Sequence, residues 1–276
     1  MARYLTGDQL HAAVRAGRGA LVLVEGESDE DDAWYYNHWF AARATEVTFF
    51  AQNGWATVAH AVAELRGAHP LRRVYGLIDR DHATEAILAA QALGCPADGL
   101  FRTERFTLEN HLLEPAVWAD VLSLLHRGGA PSQEQVDAAI TRTLRELAPL
   151  AAYNLALTRA REAGAQRDTT LLRARERIPA DPTAALHALR EAQELTVDLA
   201  QIFHAQVNHL QAAPREELHR HVSGKLALPQ ALRALGLQLR PDERRRTLAL
   251  YTRLSPGPPS DLQALVSRLV DRAGAP

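Results

Sequence analysis

The chain has 276 residues, 47% of them hydrophobic and 23% charged, with a formal net charge of −2. That composition suits a soluble globular protein of one large or two modest domains and excludes a global basic field of the kind that marks a non-specific nucleic-acid binder, although a local basic patch stays open. The single Cys95 cannot close an internal disulfide, no Cys/His spacing resembles a zinc site, and neither a signal-peptide core nor a bilayer-length apolar run is present, so a cytoplasmic location and no membrane partner are expected.

From Ala20 to about Arg105 short β-rich runs alternate with helical stretches. Ala20 to Glu25 reads as a strand, and Ser28 with Asp31 three residues on reads as the capping box of a helix through Trp34 and Trp39. Glu46 to Phe50 is the next strand, followed after Gly54 by a helix over Ala56 to Arg66. Arg72 to Asp79 is the third strand, Ala83 to Leu93 its following helix, and Gly99 to Arg102 a weaker fourth strand. Strands separated by helices of this size predict βαβ units, hence an α/β fold with a mostly parallel sheet and helices on both faces. After about residue 106 Ala, Leu, Arg and Glu dominate and strand signals vanish. The expected division is therefore an α/β domain over 1–106 and a helical region over 107–276 that packs on or beside it. Breaks are expected at Gly128–Pro131, Gly164, Ala180–Pro182, Pro214, Pro229, Pro241 and Pro256–Pro259, with a second capping box at Ser132 and Gln135.

The chemistry concentrates where two apolar runs end. Leu21-Val22-Leu23-Val24 leads into Glu25-Gly26, and Val74-Tyr75-Gly76-Leu77-Ile78 leads into Asp79-Arg80-Asp81. Residues just past the carboxyl ends of parallel strands gather in one crevice, so Glu25, Asp79 and Asp81 are expected to share a site. Three clustered carboxylates call for a cation, and oxygen donors without Cys or His point to Mg²⁺ or Mn²⁺. Each motif also has a plain alternative. Glu25 can be a strand-ending acid before a turn glycine, Asp79 and Asp81 can be N-cap acids of the next helix, and Asp29 can simply complement a helix dipole.

Two later segments add candidates. Leu108-Glu109-Asn110-His111-Leu112-Leu113 places Glu109 at the junction between the halves, with the leucines on one buried face, and serves equally as an amphipathic connector. Lys225 follows Gly224 and can neutralise charge developing on a metal-bound phosphate, or stand as a solvated loop lysine. The absence of a phosphate-binding loop and of a dinucleotide fingerprint argues against an ATPase or a dinucleotide enzyme. Missing nucleophile-elbow and zincin motifs argue against a serine hydrolase or a zinc protease.

Taken in order, Val24-Glu25-Gly26 with Asp29, Ile78-Asp79-Arg80-Asp81, Leu108 to Leu113 and Gly224-Lys225 resemble a Toprim-type domain, in the branch related to the OLD-family nucleases that includes the effector subunit of the PARIS anti-phage system. The resemblance implies a Toprim, Rossmann-like fold and a Mg²⁺- or Mn²⁺-dependent endonuclease acting on DNA or RNA in antiviral defence. It makes Glu25 a catalytic residue and metal ligand, Asp79 and Asp81 metal ligands, Lys225 catalytic, and Asp29 and Glu109 either additional ligands or residues that support the ligands. Asp29 stands where many OLD-type domains have Glu, a shorter reach. A separate ATPase of AAA or ABC type is the implied partner. One rival is a non-catalytic Toprim-fold scaffold that binds such an ATPase or nucleic acid. Another is a phosphohydrolase with an aspartate nucleophile at Asp79 or Asp81, which has no use for Glu25. The Ala/Leu-rich helices can bury their apolar stripes within the chain or against a second copy.

Overall fold

The computed structural model describes residues 5–17, 19–26, 32–70, 73–93, 96–126, 129–166, 177–239 and 241–271, with the main chain alone for 241–245. The first half runs α1 (Gly7–Ala16), β1 (Ala20–Val24), α2 (Asp32–Trp39), β2 (Val47–Ala51), α3 (Gly54–Ala68), β3 (Val74–Ile78), α4 (Glu85–Leu93) and β4 (Leu100–Arg102). The four strands form one sheet in the order β2-β1-β3-β4, and every pairing is parallel. This is the α/β architecture the alternating pattern predicts. All five residues of β1, Ala-Leu-Val-Leu-Val, are buried, as expected of a strand covered on both faces.

Side-chain alternation sends the two halves of each strand into separate cores. Leu21, Leu23, Val74 and Ile78 join Leu10 and Val14 of α1 and Val58, Val62 and Leu65 of α3 in one apolar cluster. Phe49, which pairs with Val22, lies on the opposite face, where Tyr36 of α2 stacks on it at 5.1 Å and Asn37 brackets its main chain with two hydrogen bonds. Gly76 makes room for the neighbouring side chains of α3 and β4: a Cβ there would come within 2.6 Å of Leu100 Cδ2 and 2.8 Å of Val58 Cγ1. The first capping box, at Ser28 and Asp31, lies outside the described residues.

The remaining elements are α5 (Leu108–His111), α6 (Pro115–Leu125), α7 (Gln133–Glu162), α8 (Pro182–Ala192), α9 (Leu199–Ala212), α10 (Arg215–His221), α11 (Gly224–Ala234), α12 (Pro241–Leu254) and α13 (Ser260–Asp271). The chain divides into two compact units, Met1–Leu108 with Pro241–Pro276, and Glu109–Arg240. The last segment, read from the sequence as part of the helical region, therefore groups with the sheet. Its helix α12 packs on α2, and Arg43 of the first half donates to Ser267 of α13 at 2.9 Å. In the second unit the 30-residue α7 is the central element, packed against α6, α8, α9, α10 and α11. It starts at the expected capping box, where the Ser132 hydroxyl accepts from Gln135 N–H and Gln135 caps Ser132 N–H in return. Tyr153, Ala156 and Leu157 of α7 share a core with Leu186 and Leu189 of α8 and Phe203 of α9.

One expected break does not occur. Pro229 sits inside α11, where the buried Ala227, Leu228, Ala231 and Leu232 hold the helix together across the hydrogen bond that proline cannot donate. Pro149 is likewise carried inside α7.

Candidate functional site

β1 and β3 are the two central strands, and they form the switch point of the sheet. The chain leaves β1 toward β2 on one side and returns as β3 on the other. Ligand crevices of open α/β sheets lie outside the carboxyl ends of such a strand pair. Glu25 follows β1 and Asp79 follows β3, and the structure joins them directly: the Asp79 N–H donates to Glu25 Oε1 at 2.9 Å. Gly26 next to Glu25 has φ 128°, a conformation open to glycine, which supplies the sharp exit from the strand.

Asp79 is 5% exposed and held from several sides. Its Oδ1 accepts the Leu108 N–H at 3.1 Å, and its carbonyl accepts Arg102 Nη1 at 3.1 Å. The intervening Arg80 turns inward. Its N–H donates to Thr103 Oγ1, and its guanidinium reaches the Glu104 carbonyl at 3.2 Å and the Glu85 carboxylate at 2.5 Å. Asp81 is exposed, in a left-handed turn at φ 48°, with its N–H donated to the Phe106 carbonyl. β3 ends at Ile78, so strand alternation no longer dictates that Asp79 and Asp81 lean the same way. Among the described residues the three carboxylates of Glu25, Asp79 and Asp81 do not close to within 4.8 Å of one another. Asp29 lies outside the described residues.

The surroundings of Tyr36 reveal acids that the motifs do not contain. Its hydroxyl is pushed well above its ordinary pKa, first by burial and then by the charges of Asp79, Asp32, Asp261 and Glu25. Asp32 opens α2, and Asp261 arrives from α13, where Arg105 faces it at 3.7 Å. Four carboxylates thus act on one buried ring at the carboxyl end of the sheet. Asp32 belongs to an acid-rich run that hints at it. Asp261 had no signal, because only the return of the C-terminal helices to the sheet brings it there.

Glu109 and Lys225 belong to the helical unit, and there their two motifs interlock. Gly224 N–H donates to Asn110 Oδ1 at 2.9 Å, and Asn110 Nδ2 donates to the Val222 carbonyl at 2.9 Å and approaches His219 Nδ1 at 3.4 Å. A Cβ on Gly224 would lie 2.3 Å from Asn110 N and 2.7 Å from the Glu109 carbonyl carbon. Glycine is therefore needed for this approach, and it seats the first turn of α11 on the segment that carries Glu109. Glu109 is buried at 9% exposure, whereas Lys225 is exposed. The same unit holds a second group of metal-binding types that the sequence reading did not anticipate: His209, Glu217 and His221, whose donor atoms all lie within 4.8 Å of one another.

No protein-family model matches the chain, and no curated protein matches it. Among the described residues no helix is long and apolar enough to cross a membrane.

Proposed function

We propose that the chain is a metal-dependent phosphodiesterase of the Toprim type that cleaves DNA or RNA, works as an anti-phage effector, and is held or released by a separate ATPase. The observation that carries the proposal is the contact between Glu25 and the Asp79 main chain at the switch point of a parallel sheet. Two acids separated by 53 intervening residues meet where such sheets bind ligands.

The donor set fits Mg²⁺ or Mn²⁺. It consists of carboxylate oxygens alone, and Mg²⁺ keeps several waters while taking one or two carboxylates together with substrate phosphate, so closure of three acids on one point is not required. Asp32 and Asp261 also act on Tyr36 and so lie near the Glu25 and Asp79 pair, with Asp261 partly balanced by Arg105. Glu25 and Asp79, with Asp81 on the adjoining turn, would hold the metal. When bound, it polarises the scissile phosphate and lowers the pKa of a water. The chain's own contribution is positional. The Asp79 main chain is fixed by Arg102 and by the contact with Glu25, and its buried carboxylate is oriented by the Leu108 N–H. Glu25 is partly exposed and sits where a side chain can exchange a proton with an attacking water or a leaving oxygen. Arg80 is buried and engaged by Glu85, and thus stays out of the crevice.

The test is cleavage of plasmid DNA and of RNA by the purified protein in Mg²⁺ or Mn²⁺, alone and with its ATPase partner. Glu25→Gln and Asp79→Asn are each expected to lower cleavage by at least about 10²-fold. Activity surviving in Glu25→Gln while Asp79→Asn is dead would favour an aspartate nucleophile, and identical behaviour of all three proteins on every substrate would end the nuclease proposal.

A further inference from the structure

His209 lies in the last turn of α9, while Glu217 and His221 lie one turn apart on α10, a spacing that puts both on one helix face. Pro214 makes the corner between the helices, and its carbonyl accepts the Glu217 N–H at 3.1 Å. Around that corner both imidazoles aim Nε2 at the same carboxylate oxygen: His221 at 2.9 Å and His209 at 3.5 Å from Glu217 Oε1. The rings stand edge to face, 88° apart with centroids separated by 6.0 Å. A tetrahedral zinc ion with bonds of about 2.0–2.1 Å needs its donors about 3.3 Å apart. The two histidine–carboxylate spacings are close to that, and the two imidazole donors lie within 4.8 Å of each other.

In the metal-free chain each imidazole is hydrogen-bonded to Glu217 through Nε2, and a metal ion would take the place of the protons in those bonds. Arg220 Nη1 sits 3.3 Å from Oε2, which leaves Oε1 as the oxygen turned toward the two histidines. The side chains of His209, Glu217 and His221 are 52%, 24% and 26% exposed. That is enough for an ion to enter and for water to fill a fourth position.

We propose that His209, Glu217 and His221 form a site for a divalent transition metal, with Zn²⁺ as the ion it takes, and that this ion staples α10 to α9. Two imidazoles and one carboxylate discriminate against Mg²⁺ and Ca²⁺, which prefer oxygen throughout. The site is therefore chemically distinct from the carboxylate pair of the sheet. Its consequence lies along the chain. α10 runs through Val222 and Ser223 into Gly224 and Lys225, and its His219 already faces Asn110. Fixing α10 on α9 also fixes the start of α11.

The test uses the full chain, stripped of metal with a chelator and dialysed. Calorimetric titration with ZnCl₂ in excess MgCl₂, which keeps the carboxylate site of the sheet occupied, should give one ion per chain, and Co²⁺ under the same conditions should produce the visible absorption bands of a tetrahedral complex. Loss of an outer partner of a metal ligand costs 10–100-fold in affinity, so His209→Ala, Glu217→Gln and His221→Ala should each weaken Zn²⁺ binding by at least about 10-fold. His209 is half exposed, so its replacement leaves a folded protein, verified by circular dichroism. Glu25→Gln should keep wild-type Zn²⁺ affinity, which separates this site from the proposed nuclease centre. No bound Zn²⁺, or undiminished binding in His209→Ala, would overturn the proposal.

Discussion

Gly224→Ala sets two physical effects of opposite sign against each other. Gly224 opens α11, and its φ is not in the left-handed region, so helix propensity alone predicts that alanine stabilises the protein by up to about 1 kcal/mol. The packing predicts the reverse. The added Cβ would stand 2.3 Å from Asn110 N and 2.8 Å from Asn110 Oδ1. Both are main-chain or tightly held atoms, so the approach between α11 and the Asn110 segment has to open by about 1 Å. Overpacking of that kind costs roughly 1–3 kcal/mol, and weakening the buried bond from Gly224 N–H to Asn110 Oδ1 costs about 1–3 kcal/mol more. After the propensity gain, the net destabilisation is about 1–5 kcal/mol. With a urea m-value of about 2 kcal/mol/M the midpoint falls by about 0.5–2.5 M. Two units need not unfold together, so the assay must report on the helical one. Three of the four tryptophans, Trp34, Trp39 and Trp55, lie in the sheet unit, whereas Trp118 is fully buried in the helical unit with its Nε1 donated to the Leu112 carbonyl at 2.6 Å. Fluorine NMR of 5-fluorotryptophan protein in urea resolves that indole from the others. An unchanged or raised midpoint for Trp118 in Gly224→Ala would refute the claim that the Glu109-Asn110 and Gly224-Lys225 motifs are locked by close contact.

Other expectations follow from single contacts. Under the proposed nuclease function, Glu25→Gln should lower the cleavage rate by about 10²–10⁴-fold, the usual worth of general acid–base catalysis, while leaving the urea midpoint of the sheet unit nearly unchanged. The Tyr36 pKa is raised above 10.0 in the folded state, so its stabilising contribution is complete below pH 10 and is lost as pH climbs from there toward the folded value, at up to about 1.4 kcal/mol per pH unit. In a chelator, Tyr36→Phe should show a flatter decline than wild type between pH 9 and 11, and parallel curves would count against a buried Tyr36. Arg80 and Glu85 should behave unequally, because their side chains are 3% and 70% exposed. Glu85→Ala strands a buried cation and should cost about 2–4 kcal/mol, whereas Arg80→Met frees a carboxylate that water already reaches and should cost about 1–2 kcal/mol. Equal urea midpoints for the two variants would contradict that ordering.

The sheet was legible because its strands are short apolar runs bounded by turn residues, and buried parallel strands must be apolar on both faces. β1, β3 and the capping box of α7 fall within a residue or two of expectation. The helical half was legible in kind but not in partition. Pro229 reads as a break because proline forfeits one hydrogen bond, yet the apolar face of α11 against α7 outweighs that loss. Residues 241–271 read as more of the same Ala/Leu/Arg helix, since amphipathic periodicity says that a face is buried and not what buries it. Leu262, Leu265, Val266 and Leu269 would look the same on either unit.

Site legibility follows the same division between local and long-range information. Glu25 and Asp79 were readable because each is the first residue past a strand, and in a parallel sheet that position carries spatial meaning whatever the separation in sequence. Asp81 was placed with Asp79 by the same strand-end argument, but it lies three residues past Ile78 in a left-handed turn, where the strand no longer fixes its direction. Asp261, His209 and the Glu217–His221 pair carry no strand-end landmark. Their positions depend on helix packing, which leaves only the i,i+4 spacing of Glu217 and His221 as a local trace. The bond from Asp79 N–H to Glu25 Oε1 adds something that no motif contains. It commits one Glu25 oxygen to the main chain of β3's exit, so the position of Glu25 is held in register with Asp79. A change that shifts β1 against β3 would therefore disturb the placement of both acids together, and with it the activity proposed for them, even with both side chains intact.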